Sequence, residues 1–237
     1  RSPSRGLGDV YKRQGLNVKY TLTTSYLYGQ LILDEFSVEY LRTKNSWANK
    51  FGYQIGYKIF NFFNVDKLSL HAEYNYVRPY TYAHNNPTQN YAHYNQPLAH
   101  PLGANFSELL LMATYSINRF VFDIKMMSAK YGGQIDGDPI SYGSDLFLST
   151  GNFAQEANLI NIGTGRPSDI GIEMYQGNLS KIKSGSLNIG YVINPLTNLK
   201  INLGFTFRNF ENENENLETR FLNFGIISDL FNKYYDI

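Results

Sequence analysis

The chain has 237 residues, 43% hydrophobic and 17% charged, with 20 Tyr, 16 Phe, one Trp, no Cys and a formal net charge of +1. Without cysteine there is no disulfide scaffold and no zinc–thiolate site. The longest apolar run, Leu109-Leu110-Leu111-Met112-Ala113, excludes a membrane-crossing helix but not a spanning β-barrel, whose strands alternate.

Charge falls below the quarter or so of an average soluble chain, yet the mean hydropathy is −0.35. The polarity is therefore uncharged, and 26 Asn supply much of it. Residues 1–14 (RSPSRGLGDVYKRQ) hold turn-formers and bases without periodicity, and lack the apolar stretch of a secretory signal. The segment resembles translated sequencing-adaptor read-through and is expected to be non-native or disordered. Residues 15–237 carry the fold.

From Gly15 onward the pattern has period two. Phe51, Tyr53, Ile55, Tyr57 and Ile59 alternate with Gly52, Gln54, Gly56 and Lys58. Leu199, Ile201, Leu203, Phe205 and Phe207 alternate with Lys200, Asn202, Gly204, Thr206 and Arg208. Such runs place one apolar and one polar face on a strand. Nine strands are expected, at roughly 16–22, 25–35, 50–60, 67–78, 105–117, 119–130, 182–194, 198–210 and 218–231. Most match the nine to eleven or so residues of a tilted membrane-spanning strand.

The connections alternate short and long: 23–24, 61–66, 118 and 195–197 against 36–49, 79–104, 131–181 and 211–217. Tight periplasmic turns and long extracellular loops give outer-membrane barrels that rhythm. The fold class expected is all-β: the C-terminal fragment, about nine antiparallel strands, of a large transmembrane outer-membrane β-barrel. Its C-terminus is expected to be periplasmic and its long loops extracellular. Counting back from that end starts the first strand outside, so at least one further strand is expected upstream. A soluble β-sandwich also alternates, but would keep its rings inside. Here Tyr20, Tyr74, Tyr76, Tyr191, Phe205, Phe207, Phe231, Tyr234 and Tyr235 fall near the ends of apolar faces, as girdles against lipid do. The opposite faces carry charges of both signs: Lys19, Lys58, Glu73, Glu108, Asp123, Lys125, Lys200 and Arg208.

Segment 78–105 is the most distinctive. It holds three of the four His, four Pro, four Tyr and five Asn. Proline at those spacings blocks both helix and strand, so an ordered irregular loop is expected. Three readings compete for Arg78, Tyr80, Tyr82, His84, Asn90, Tyr91, His93, Tyr94, Asn95, Gln96 and His100. Rings with amide and imidazole groups can stack on sugars and bond their hydroxyls. The same side chains can pack the loop into a lumen as a plug. A His-rich tract can also bind metal, but spacings of nine and seven residues form no ligand motif, and the segment has no Asp or Glu.

Elsewhere the chemistry is thin. Asp136-Gly137-Asp138 lacks the oxygen series of a calcium loop and reads as a solvated turn. The window 161–166 has Gly163 and Gly165 but no Walker Lys-Ser/Thr, so it is not a phosphate loop. The ENENEN tract at 211–216 reads as a polar tip. Asp34-Glu35 and Asp123/Lys125 are charged pairs without a nucleophile, and His71 beside Glu73 suits a structural hydrogen bond. No enzyme activity, cofactor or metal is expected. Nucleic acid is not an expected partner, because the only basic cluster lies in the first fourteen residues.

Ala72-Glu73-Tyr74-Asn75, Val77-Arg78-Pro79-Tyr80-Thr81-Tyr82, Asn90-Tyr91 and His93-Tyr94-Asn95-Gln96-Pro97-Leu98-Ala99-His100-Pro101 together resemble the Wzi-type capsule-assembly family. The likeness is to its Bacteroidota branch, which includes gliding-motility RemB-like proteins. Gly103-Ala104-Asn105, Tyr142-Gly143-Ser144-Asp145, Gln176-Gly177-Asn178 and the ending Leu230 to Asp236 add weaker matches. The resemblance implies an outer-membrane barrel that attaches or assembles surface polysaccharide, with outer-membrane lipid around it. Some relatives serve gliding instead. It supplies no catalytic residues, and protein partners stay open. The alternative expectation is a diffusion channel in which loop 79–104 forms the constriction.

Overall fold

The computed structural model describes residues 13–34, 43, 45–86, 89–153 and 165–228. Nine strands form one antiparallel sheet in the order β1 (Arg13–Thr21), β2 (Ser25–Asp34), β3 (Lys50–Phe60), β4 (Leu68–Val77), β7 (Phe106–Ile117), β8 (Phe120–Gly133), β9 (Asn178–Asn194), β10 (Leu199–Glu211) and β11 (Asn216–Ile227). Two short strands, β5 (Ala92–His93) and β6 (Gln96–Pro97), form a separate hairpin inside the loop that links β4 to β7. Among the described residues the sheet does not close: β1 and β11 each pair on one side only.

Most strand limits fall within a few residues of those expected. The first differs in a consequential way, because β1 begins at Arg13, inside the segment set aside as non-native. Arg13 and Gln14 pair with Asp34 and Leu33 and extend the ladder. Residues 1–12 lie outside the described residues, as do the expected girdle members Phe231, Tyr234 and Tyr235. The β9 strand starts at Asn178, four residues earlier than expected, and the polar tip narrows to a turn in which the Asn212 carboxamide oxygen accepts from Asn214 N–H and Glu215 N–H at 2.8 and 2.7 Å.

The tight turns sit at one end of the sheet, and asparagine has a part in three of the four. Asn61, Asn64, Asn118 and Asn198 have positive φ, a region that Asn enters more readily than other side-chain-bearing residues. Asn118 alone of the two-residue Asn118-Arg119 link has positive φ, as a type II′ hairpin requires.

Register brings the apolar residues of every strand to one face. Ile59, Leu70, Ala113, Ile124, Leu187, Phe205 and Leu222 pair in an unbroken row across seven strands. A neighbouring row runs Tyr20, Leu27, Tyr57, Ala72, Leu111 and Met126. Nothing among the described residues covers this face; Leu203 is 45% exposed and Phe224 70%. From Leu199 to Phe207 the band covers about 27 Å along the strand. Rings gather toward both ends of it. At the long-loop end Tyr53 stacks on Tyr76 with centroids 5.0 Å apart, and at the tight-turn end Phe120 meets Tyr191 edge-on at 5.1 Å. Beyond the band, on the same face and toward the long loops, the register turns polar: Lys181 pairs with Glu211 at 3.5 Å and Arg220 with Glu218 at 3.3 Å.

The other face is polar, and its charges share it as expected. Tyr28 shows how this face is organised. It lies opposite Gly56, which lies opposite Glu73. A Cβ on Gly56 would come within 2.1 Å of the Tyr28 ring, so glycine alone lets the ring cross β3 to reach β4. There its hydroxyl donates to Glu73 and lies 2.8 Å from His71 Nε2. The hydrogen bond expected of His71 is thus made through Tyr28, while its direct approach to Glu73 is 4.0 Å.

Candidate functional site

The buried core of the molecule lies where a cap built from the long loops meets the strand ends, with Val77 and Phe106 as its strand members. Tyr80, Thr81, His84, Asn105, Ser141, Leu146, Thr150 and Ile172 are all at most 1% exposed. A single-layered sheet with one uncovered face has little interior of its own, so the loops bury one another over the strand ends.

His100 apart, the expected site residues divide into two groups. Arg78, Tyr80, Tyr82, His84 and Asn90 are cap residues. The Arg78 guanidinium donates to Ile172 O at 3.4 Å. Tyr80 donates through its hydroxyl to Ser141 O at 2.7 Å and through its N–H to Gly143 O at 2.9 Å. The Tyr82 N–H donates to an Asp34 carboxylate oxygen at 2.8 Å. The His84 N–H donates to the Asn90 side chain at 2.6 Å, and the Asn90 amide donates to Leu146 O. Tyr80 and Tyr82 both hold positive φ, 65° and 73°, a costly conformation for bulky residues that this bonding maintains. Burial pushes the Tyr80 phenol well above its ordinary value and the Tyr82 phenol up to about 12.

Tyr91, His93, Tyr94, Asn95 and Gln96 instead form the exposed hairpin. Tyr94 and Asn95 both have positive φ, as the two central positions of a type I′ turn require, and Tyr94 is 88% exposed. His93 packs edge-on against Tyr94 at 4.3 Å. Tyr91 lies at the hairpin base, under the Arg13 guanidinium at 4.3 Å.

His100 belongs to neither group. It stacks on Phe106 at 4.3 Å, and its Nδ1 accepts from Leu102 N–H at 3.2 Å. That leaves the Nε2–H tautomer to donate to Glu108 at 3.1 Å. Asn75 then links Glu108 to Glu73 by bonds of 3.1 and 3.0 Å. A continuous polar chain thus runs from His71 through Tyr28, Glu73, Asn75 and Glu108 to His100, tying the loop to three strands.

Beneath the loop lies a half-open cleft of about 430 Å³. Its floor is the polar face of β1 to β4, and Tyr82, Tyr91, Leu98 and His100 contribute its loop side. Among the described residues no three His, Asp or Glu are grouped to hold a metal ion. No helix there is long and apolar enough to cross a membrane, which says nothing of strands.

Several cap residues were not singled out as site residues. Asp34, read as half of a charged pair, is fully buried, as is Lys50 directly opposite it. Arg166, in the window discarded as a phosphate loop, lies 3.9 Å from the Trp47 ring and 2.8 Å from the Asp169 carboxylate. Asp138 is more than a solvated turn residue: it accepts from Tyr142 hydroxyl at 2.6 Å and from Ile140 N–H at 2.9 Å. That bond to Asp138, with burial second, pushes the Tyr142 phenol up to about 12.

The Arg166 cluster sets an acid limit on the cap. Burial works to raise the Asp169 carboxyl, but hydrogen bonds from Arg166 and Asn152 and the Arg166 charge outweigh it and hold it below 3.8. A depressed carboxyl contributes stability that is full above its unfolded value and is lost as pH falls through the folded one. The cap is therefore expected to hold above about pH 4 and to loosen only below it. Trp47, the single tryptophan, reports this directly, and an emission change centred near neutrality is the contrary outcome.

Comparison of the chain with protein-family models, with curated proteins and with solved structures gives no match.

Proposed function

We propose that the chain is part of a bacterial outer-membrane β-barrel whose long loops face outward and whose C-terminal end is periplasmic. In this reading it acts in attachment or assembly of surface polysaccharide, the role its resemblance to Wzi-type proteins implies, with gliding the variant role. The observation that carries the reading is the uncovered apolar face, continuous across the strands, about 27 Å along β10, edged by rings and then by charge. Bilayer-facing barrels present such a band of about 25 Å with aromatic girdles. The exposed hairpin with Tyr91, His93, Tyr94, Asn95 and Gln96 supplies ring and amide chemistry on the side the reading assigns to the exterior.

Leu203→Arg tests the membrane part. In a lipid-facing position the substitution is expected to cost about 2–4 kcal/mol and to block folding into vesicles, while Asn202→Arg on the other face is tolerated. On a soluble protein an arginine at so exposed a site costs within about 0.5 kcal/mol, and that result would overturn the barrel. For the polysaccharide part, cells carrying Tyr91→Ala, His93→Ala, Tyr94→Ala and Gln96→Ala together are expected to shed surface polysaccharide. Unchanged retention with altered ion conductance favours the channel instead. One observation speaks for that second reading: residues 98–100 and Tyr82 lie over the polar face, where a constriction would sit.

A further inference from the structure

The cleft under the loop has a floor of unusual chemistry. Asn17 pairs with Gln30, Gln30 with Gln54 and Gln54 with Asn75, so four carboxamides stand in one row across four adjacent strands. At strand spacing the row is about 14 Å long. Asn75 is spoken for by Glu73 and Glu108. The amides of Asn17, Gln30 and Gln54 make no side-chain hydrogen bond within the described residues, although all three line the cleft. Above them stand the rings of Tyr82 and Tyr91, tilted at 32° with centroids 5.9 Å apart.

We propose that this cleft is a binding site for a neutral oligosaccharide segment, laid across β1 to β4 with the carboxamides of Asn17, Gln30 and Gln54 reading its hydroxyls. The inference rests on the surface-polysaccharide reading and extends the contact from the exposed hairpin to the strand face beneath it. A carboxamide offers both a carbonyl acceptor and two N–H donors, and a sugar hydroxyl both donates and accepts, so each matches the other in either orientation. The Tyr91 ring, 37% exposed, offers a surface to the C–H groups of a pyranose, which amides alone do not, and the buried Tyr82 ring packs against it. The volume of about 430 Å³ falls inside the range of about 300–1,000 Å³ common to small-molecule sites.

The absence of charge selects against anions. His100 is the only titratable ring nitrogen in the lining, and both its nitrogens are engaged, with Leu102 N–H and Glu108. Arg13, packed on Tyr91, is paired with Asp34 at 3.4 Å. Glu108, bonded to the lining residues His100 and Asn75, disfavours a uronate or phosphate further.

The test titrates the full chain, folded in detergent micelles, with maltohexaose, cellohexaose and mannohexaose, and with hexagalacturonate as the anionic probe. At least one neutral hexasaccharide is expected to bind, and more tightly than hexagalacturonate. Gln30→Leu with Gln54→Leu is expected to weaken it by about tenfold or more. The near-isosteric Gln54→Glu, which keeps size but removes donors, is expected to weaken it in the same direction and guards against a folding artefact. Glu213→Ala, in the turn between β10 and β11 at the opposite edge of the sheet, is expected to leave binding unchanged. The cleft is overturned if no neutral hexasaccharide binds, if the anion binds best, or if floor substitutions leave affinity unmoved. Loss on Tyr94→Ala with Gln96→Ala, while the floor substitutions leave affinity unmoved, overturns the cleft and leaves the surface-polysaccharide reading standing. Polysaccharide retention by cells with an altered hairpin but an intact floor reads on the broader function by itself.

Discussion

Replacing Lys50 with Met is expected to release the cap from the strand ends at a cost of about 3 kcal/mol, because it removes a fully buried ammonium group and its hydrogen bond to the loop. Lys50 Nζ donates to Ala83 O at 2.9 Å and lies 4.8 Å from the Trp47 ring. Opposite it, Asp34 is also fully buried and holds the Tyr82 N–H. Between them the two strand ends grip loop 78–86 at consecutive backbone positions. The Asp34 carboxylate is itself ion-paired with Arg13 at 3.4 Å. Limited proteolysis within 78–105 and Trp47 emission measure the release. A Lys50→Met protein as protease-resistant as the parent would show that the ionic group does not hold the loop.

Asn105 is expected to matter nearly as much. It is fully buried; its amide lies within hydrogen-bond distance of Gly132 O at 3.2 Å, Tyr142 O at 3.1 Å and Gln176 O at 3.0 Å. Its carbonyl oxygen accepts from Tyr175 N–H at 2.6 Å. One side chain thus joins the start of β7, the end of β8 and loop 134–177. Gly132 makes room for it: a Cβ there would sit 2.0 Å from Gln176 O and 2.3 Å from Asn105 Nδ2. Asn105→Ala leaves those backbone groups without their partner and is expected to cost about 3 kcal/mol or more. Its φ of 57° adds a backbone penalty for alanine, so Asn105→Gly separates the two effects. Asn105→Asp sets a carboxylate against three carbonyl oxygens and is expected to be at least as damaging at neutral pH. Amide exchange across 134–153 and 165–177 measures each variant, and protection equal to the parent's is the outcome that contradicts the assignment.

Much of the sheet was legible because period two is a local signal. The alternation at 51–59 and 199–207 needs no partner to be read, and the rhythm of short and long links orders consecutive hairpins. Strand ends were less legible. Arg13 joins β1 because Asp34, twenty-one residues on, sits across the ladder from it, and no property of the first fourteen residues announces that.

Within segment 78–105, composition marked the loop but did not divide it. Tyr80 and Tyr94 are the same residue type in the same tract, yet one is wholly buried and the other 88% exposed. The difference comes from Ser141, Gly143 and Gln176, which meet Tyr80 from a loop more than sixty residues away. Trp47 with Arg166 and Asp34 with Lys50 were hidden for the same reason. Their meaning is a pairing, and the sequence separates or dismisses the partners.

The amide row beneath the loop is the sharpest case. Asn17, Gln30, Gln54 and Asn75 are ordinary polar positions on four strands, and each alone reads only as the wet side of an alternating pattern. Period two decided which face each one occupies. Only the pairing register, which a one-residue slip in any hairpin would destroy, set the four side by side under a pair of tyrosine rings.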